Sequence, residues 1–364
     1  MNKDNTEAAS LWPLRIREQG TFYVGGQYDN SAQPTAMSGQ MYVRYQIPEP
    51  RKGVAPRLPV VMVHGGAQQG TNFTGTPDGR PGWADFFLKK GWPVYVVDQP
   101  GRGRSPYSEK DYGAKLKLDL GHLEKHFTDV AHKGDWPQAP LHTQWPGAGV
   151  RGDPVFDQFV ASQYIGMRRD VQERHSVQAL IALLDRIGPA TLLTHSQSGP
   201  FGWCVADARP KLVKALLSVE PNGPLFYDTP EPGPKVERPY GLSREPLTFD
   251  PPVSDPAELK IVQQKNADGP GLFRTWLQQK PARRLPHLAG IPILILTAEA
   301  SYHAQYDHGA SKFLKQAGVK NDFVRLQDQG IRGNGHMMML EKNNLEIAAL
   351  MEKWLRRKVG KLTS

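Results

Sequence analysis

Five short apolar runs constrain the fold more than any other feature: Leu58–Val63, Pro93–Val97, Pro189–Leu193, Ala215–Val219 and Ile291–Leu296. Each is nearly continuous instead of alternating, the pattern of a strand covered on both faces. Helical patterns lie between them. Trp83, Phe86 and Phe87 share a side ahead of Gly91, and Val177 to Ile187 is stopped by Gly188-Pro189. Strand and helix alternating without a repeat predict an α/β fold, one mostly parallel sheet with helices on both faces. Parallel strands deliver their C-terminal loops to one edge, so residues far apart in sequence can meet there.

Other stretches add to this frame. Met41, Val43, Tyr45 and Ile47 alternate as in a half-buried strand, and Phe22-Tyr23-Val24 predicts a short edge strand. A helix is expected near Ala310 to Ala317, a strand over Phe323 to Leu326, and a closing amphipathic helix over Leu345 to Leu355. Residues 107–170 and 222–288 follow no single period. The first suggests helix over Lys115 to Thr128 and again from Phe156; the second is proline-rich, then helical around Leu272 to Leu277. Structureless loops of that length are unusual in a compact domain. Both are therefore expected to be excursions from a single domain spanning 1–364, forming a cap or pocket wall.

With hydrophobic residues at 39% and charged residues at 22%, the chain belongs with folded soluble proteins. The single cysteine, Cys204, excludes an internal disulfide and a thiolate metal cluster, and its apolar helical setting reads as core. No metal or cofactor is expected, because the histidines lack ligand spacing. The charge of +9 is scattered, apart from Lys353 to Lys358 at the end of the last helix, and no nucleic-acid-reading motif accompanies it. No run approaches a membrane-spanning length. Met1-Asn2-Lys3-Asp4 opens no apolar segment, so the chain reads as cytoplasmic as written, and as periplasmic or secreted if a leader has been removed. A homodimer is left open.

Chemistry concentrates at the exits of the apolar runs. Pro189–Leu193 leads into Thr194-His195-Ser196-Gln197-Ser198-Gly199 and then a helical stretch, the setting in which a sharp turn lifts a serine above a sheet. Thr194 and Ser198 stand where glycines are usual. Ser196 is the expected nucleophile, with Ser198 as a rival. A serine needs a base, and the base needs an acid to orient it. His336, presented after Gly333 and Gly335, supplies the first. Glu220 at the exit of Ala215–Val219 supplies the second, with Glu299 at the exit of Ile291–Leu296 as the alternative. The backbone N–H groups of Gly66 and Gln197 are placed to receive an oxyanion. His64 is expected to brace that loop, Met337 to Met339 to fill space, and Asp98 with Arg104 to tie the glycine-rich loop between them.

The residues Gly20 to Gly26, Gln40 to Pro48, His64-Gly65, Thr76 to Arg80, Asp98 to Ser105, His195 to Gly199, Ser218 to Pro221, Gly335 to Met339 and Asn343 to Leu345 resemble a small group of α/β-hydrolases. That group is the Alcaligenes-type bacterial esterase with a Ser–His–Glu triad. The resemblance covers nearly the whole core, and residues 107–165 and 222–288 match poorly. It implies carboxylic-ester hydrolysis with Ser196 as nucleophile, His336 as base, Glu220 as its acid, and Gly66 and Gln197 as oxyanion hole. The family pattern carries two adjacent, disulfide-joined cysteines after His-Gly; here Gly66 and Ala67 replace them, so the loop must be held by packing.

The expected activity is thus a serine esterase acting on a small-molecule ester through an acyl-enzyme. A lactonase or polyester hydrolase would use the same residues, and a non-catalytic ligand-binding protein is the reading from another class. A serine at the elbow disfavours dehalogenase or epoxide-hydrolase chemistry, which needs a carboxylate there.

Overall fold

A computed structural model describes residues 13–29, 36–50, 53, 55–163, 166–229, 231 and 235–359. The N-terminal residues on which the reading of export rests lie outside that range. The five apolar runs become β3 (Val60–Val63), β4 (Val94–Asp98), β5 (Ala190–His195), β6 (Val213–Val219) and β9 (Ile293–Thr297). Around them stand β1 (Ile16–Asp29), β2 (Ala36–Pro48) and β10 (Asp322–Arg325), in the order β1-β2-β4-β3-β5-β6-β9-β10. From β4 to β10 every pair is parallel, while β1 and β2 add antiparallel at one edge. The main helices are α1 (Trp83–Lys89), α2 (Pro154–Ala161), α3 (Arg169–Ile187), α4 (Gly199–Ala208), α5 (Asp307–Gln316) and α6 (Asn344–Val359).

Alternate residues of each central strand feed two separate cores. Val60 and Met62 of β3 pack with Trp83 and Phe87 of α1 and with Ile347 and Met351 of α6. Val61 and Val63 face the other way, toward Leu180 and Leu183 of α3, Trp203 of α4 and Phe313 of α5. Period two in a strand makes this division automatic, and each fully buried Val or Leu contributes about 1.5–3 kcal/mol. Cys204 is buried in the second core, as its apolar setting predicted.

The two excursions divide between these faces. Leu123, Phe127, Trp145, Phe156 and Phe159 join the core of α1 and α6. Leu225, Phe226, Leu242, Phe249 and Leu285 join that of α3, α4 and α5.

Three expectations need correction. Phe22 to Val24 lies within a 14-residue strand paired along β2, much longer than a local apolar triplet suggests. Leu272 to Leu277 is not helical: Trp276–Gln278 forms β8, paired antiparallel with β7 (Ile261–Gln263). That partner lies outside any local window, and pairing overrides propensity. Over Lys115 to Thr128 only Leu120–Leu123 is α-helical, continuing as a wider turn through Glu124–Thr128.

Candidate active site

At the end of β5 the chain turns abruptly, and Ser196 takes φ 54°. A non-glycine residue there costs on the order of 1 kcal/mol and persists only when its surroundings hold it. Close packing does so. A Cβ on Gly199 would stand 2.7 Å from Pro221 Cα, and one on Gly202 would stand 3.0 Å from Thr194 Cγ2. The two departures from the usual glycines therefore have structural roles. Thr194 packs against α4 at Gly202. The buried Ser198 hydroxyl accepts from His195 N–H (2.9 Å) and lies 2.8 Å from Val63 O. That hydroxyl is committed to the backbone, which removes Ser198 as a rival to Ser196.

The loop after β3 lies against the elbow. A Cβ on Gly65 would meet His195 Nδ1 at 2.9 Å and Ser196 Cβ at 3.0 Å, so only glycine fits. Gly66 faces Gln197, whose Oε1 would be 3.6 Å from a Cβ at that position. Ala67 follows at φ 59°. Side chains brace this turn. Gln68 Oε1 accepts from Gly65 N–H (3.2 Å), and Gln68 Nε2 reaches Met337 Sδ (3.0 Å). His64 Nδ1 bonds Gly65 O (2.9 Å), while its Nε2 accepts from Gln99 N–H (3.1 Å). An accepting Nε2 requires a neutral ring, and burial, with Arg102 nearby, holds His64 down at about 4. Behind it, Asp98 accepts from Gly70 N–H, Arg104 N–H and Arg104 Nε, tying the next loop as expected.

The two candidate acids part company here. Glu220, at the exit of β6 and at φ 45°, is fully buried. Its Oε1 accepts from Ala298 N–H (2.8 Å), and its Oε2 accepts from Ser301 Oγ (2.7 Å) and lies 2.5 Å from His336 Nδ1. Burial raises its carboxyl to about 8, while Ala298 and Ser301 pull toward the carboxylate. Glu299 takes Arg332 Nη1 (2.7 Å) and Gly333 N–H (2.9 Å), so it anchors the loop leading to His336 and not the ring itself.

The ring of His336 is clamped between Phe127 (centroids 5.3 Å apart) and His303 (4.6 Å). Its carbonyl accepts from His195 Nε2 (3.0 Å), and its own Nε2 is 3.3 Å from Tyr302 Oη. Burial, reinforced by neighbouring imidazoles, pushes His336 well below the ordinary histidine range, toward the neutral form that can accept a proton. The supporting loop is equally fixed. Buried Glu341 accepts from Gly335 N–H and Asn334 Nδ2 and pairs with His142 Nε2 (2.8 Å). Arg80 donates to the carbonyls of Leu340, Glu341 and Lys342.

Residues 59–258 match the alpha/beta hydrolase fold family, more than half of the chain. This chain belongs to that family. It is 43% identical over 341 residues to a protein named "Probable secreted lipase phiG" from Fungal sp. (strain ATCC 74256), covering 92% of this chain and 89% of that protein. Among solved structures, that of a bacterial esterase is similar over 95% of this chain and 97% of its own, with TM-score 0.66 and 25% identity.

Several residues of this α/β-hydrolase site went unassigned from sequence: Phe127, Tyr302, His303, Glu341 and Arg80. Arg80 lay in a noted motif and pairs there with Asp78, but the Leu340 carbonyl it holds is 260 residues away. Ser301 as a helix-turn cap is the one local signal near Tyr302 and His303. Glu220, His303 and His336 bring potential ligand atoms within 4.8 Å of one another. The two rings are stacked at 14°, however, and their Nδ1 atoms already bond Asp307 and Glu220. Lone pairs in parallel planes do not converge on one ion, so the trio reads as a stacked hydrogen-bonded support. Among the described residues no helix is long and apolar enough to cross a membrane.

Proposed function

We propose that this chain is a carboxylic ester hydrolase in which Ser196 is the nucleophile, His336 the base and Glu220 the acid that orients it. The observation that carries the reading is the 2.5 Å approach of His336 Nδ1 to Glu220 Oε2 beside the strained Ser196 elbow. The name of the lipase relative and the likeness to a bacterial esterase support it.

Ser196 Oγ attacks the ester carbonyl carbon as its proton passes to His336 Nε2. Once ionised, Glu220 accepts from Nδ1–H, which fixes the tautomer whose Nε2 is free to receive that proton and stabilises the imidazolium that forms. The carbonyl oxygen becomes an oxyanion between the N–H groups of Gly66 and Gln197. Collapse breaks the ester C–O bond, the proton on Nε2 goes to the departing alcohol, and Ser196 is left acylated. Water, losing a proton to the same Nε2, then attacks the acyl carbon, releases the acid and restores Ser196. The chain acts as a single domain, 1–364, with residues 107–170 and 222–288 shaping the walls of the site.

Lactones and polyesters would use the same atoms, and the lipase relative adds long-chain lipid esters to the substrates to be compared. A fluorophosphonate should label Ser196 stoichiometrically, and Ser196→Ala should abolish both labelling and turnover across a panel of short esters, long-chain esters and lactones. Retained turnover in a folded Ser196→Ala variant overturns the assignment.

A further inference from the structure

Tyr302 belongs to the short turn Tyr302–Gln305 that follows β9, and nothing in the reaction just described uses it. The turn is bound to the site at three points. Ser301, which caps it by accepting from His303 N–H (3.1 Å), also donates to Glu220 Oε2 (2.7 Å). His303 stacks on His336, and Trp136 Nε1 holds the preceding Ala300 O (3.0 Å). The tyrosine ring is packed by His126, Trp136 and His336, with centroids 5.2, 5.8 and 4.9 Å away. Its position is thus set by the same contacts that set Glu220 and His336.

Its hydroxyl lies 3.3 Å from His336 Nε2. Nε2 is the atom that must hand a proton to the departing alcohol. A leaving oxygen within reach of Nε2 therefore enters the space beside the phenol. Burial, with Glu220 and Asp307 close by, pushes the phenol further up, so it stays protonated and acts as a donor and not a base.

We propose that the Tyr302 hydroxyl donates a hydrogen bond to the leaving-group oxygen as the ester C–O bond breaks. In the resting enzyme that hydroxyl rests against Nε2. During acylation the proton of Ser196 moves to Nε2, the C–O bond pair goes to the leaving oxygen, and the Nε2 proton follows it. Tyr302 keeps its own proton and shares it with the developing alkoxide. The inference rests on the proposed roles of Ser196 and His336.

The test is kcat/KM for Tyr302→Phe on a series of esters with one acyl group and alcohols ranging from nitrophenols to simple alkanols. A strongly basic leaving oxygen needs the donor and a nitrophenolate hardly does. The expected loss is about 100-fold on alkyl esters, the scale of removing one donor from a developing oxyanion, and several-fold at most on nitrophenyl esters. The dependence on leaving-group basicity thus becomes steeper. A fluorotyrosine at 302, whose phenol is a stronger donor on an unchanged ring, should make it shallower and serves if the phenylalanine variant does not fold. Equal loss across the series, or no loss, overturns the proposal. Turnover surviving in Ser196→Ala would instead show that the underlying assignment has failed.

Discussion

Two neighbouring strands of one sheet each lead out to a glutamate, and the two carboxylates do different work. Glu220 leaves β6 into an interior where three donors converge on it and no water reaches it. Glu299 follows β9 to the rim, where it meets an arginine whose side chain is 68% exposed and one loop N–H. The difference lies in where each loop turns. Glu220 takes positive φ and folds back under His336, whereas Glu299 continues outward to the segment that carries that histidine. A carboxylate in the second setting holds a loop in place; one in the first can control which nitrogen of the imidazole bears the proton.

The strongest test of this contrast is to neutralise each acid in turn. Glu220→Gln should lower kcat on a small activated ester at least 100-fold, since the corresponding acid-to-amide change in a serine-protease triad costs about four orders of magnitude. Glu299→Gln should stay within about tenfold, because positioning alone is disturbed. Circular dichroism must show both folded. An inactive Glu299→Gln beside a nearly normal Glu220→Gln would reverse the two roles.

Removing a donor from the buried carboxylate should cost less. In Ser301→Ala one hydrogen bond to Glu220 is lost, with an expected destabilisation of about 1–3 kcal/mol in denaturant unfolding and a fall in kcat. If neither changes, Glu220 is not held in the way its bonds indicate.

The pH dependence gives a further handle. The Glu220 carboxyl is raised from 4.5 to about 8, so between those values the folded protein keeps a proton that the unfolded chain releases. Its contribution to stability is full below pH 4.5 and is lost as pH rises toward 8, by up to about 1.4 kcal/mol per pH unit. Glutamine has no such proton, so the Tm of Glu220→Gln relative to the parent should climb from pH 5 to pH 8. A constant difference would show that burial does not raise this carboxyl. Only the ionised Glu220 carboxyl can steady the imidazolium of His336, so the acid limb of kcat/KM should follow Glu220 ionisation toward pH 8, His336 itself being held below the ordinary histidine range.

At the rim the expected effect is smallest. Arg332→Ala takes a largely exposed guanidinium from the buried Glu299, which keeps its bond from Gly333 N–H, and should lower stability by about 1 kcal/mol, with kcat/KM within threefold. A larger loss would mean that the rim contact does more than anchor a loop.

The sequence reveals those parts of the molecule that local pattern encodes. Val60 to Val63, Thr191 to Leu193 and Leu294 to Leu296 are buried on both faces, and nothing but a covered sheet accommodates such runs. Ser196, Glu220 and His336 stand at loop positions that a parallel sheet gathers at one edge, so their proximity could be anticipated. The choice between Glu220 and Glu299 could not follow from spacing, because both leave apolar strands; the φ of Glu220 and the bonds of Glu299 are tertiary facts. Tyr302, His303 and Phe127 were invisible for the same reason. Each matters through a ring stacked on a partner far along the chain, and an aromatic in an irregular segment gives no period to read. Trp276 shows the opposite error, an apolar cluster read as helix because its strand partner, β7, is supplied from elsewhere.

The division of the interior into two cores has a bearing on how this protein can change. The excursion that presses Phe127 on His336 is rooted in one core and the proline-rich excursion in the other, and the two meet where Gln138 Nε2 donates to Gly271 O and Arg169 pairs with Asp228. Away from those two contacts, substitutions in the two excursions share no core and should add in their effects on stability. Losses incurred while reshaping the segment around the histidine can therefore be offset by gains on the opposite face without crossing the catalytic edge. The second excursion is thus a reserve of tolerance, and a variant library that first strengthens it should accept more extensive rebuilding of the first.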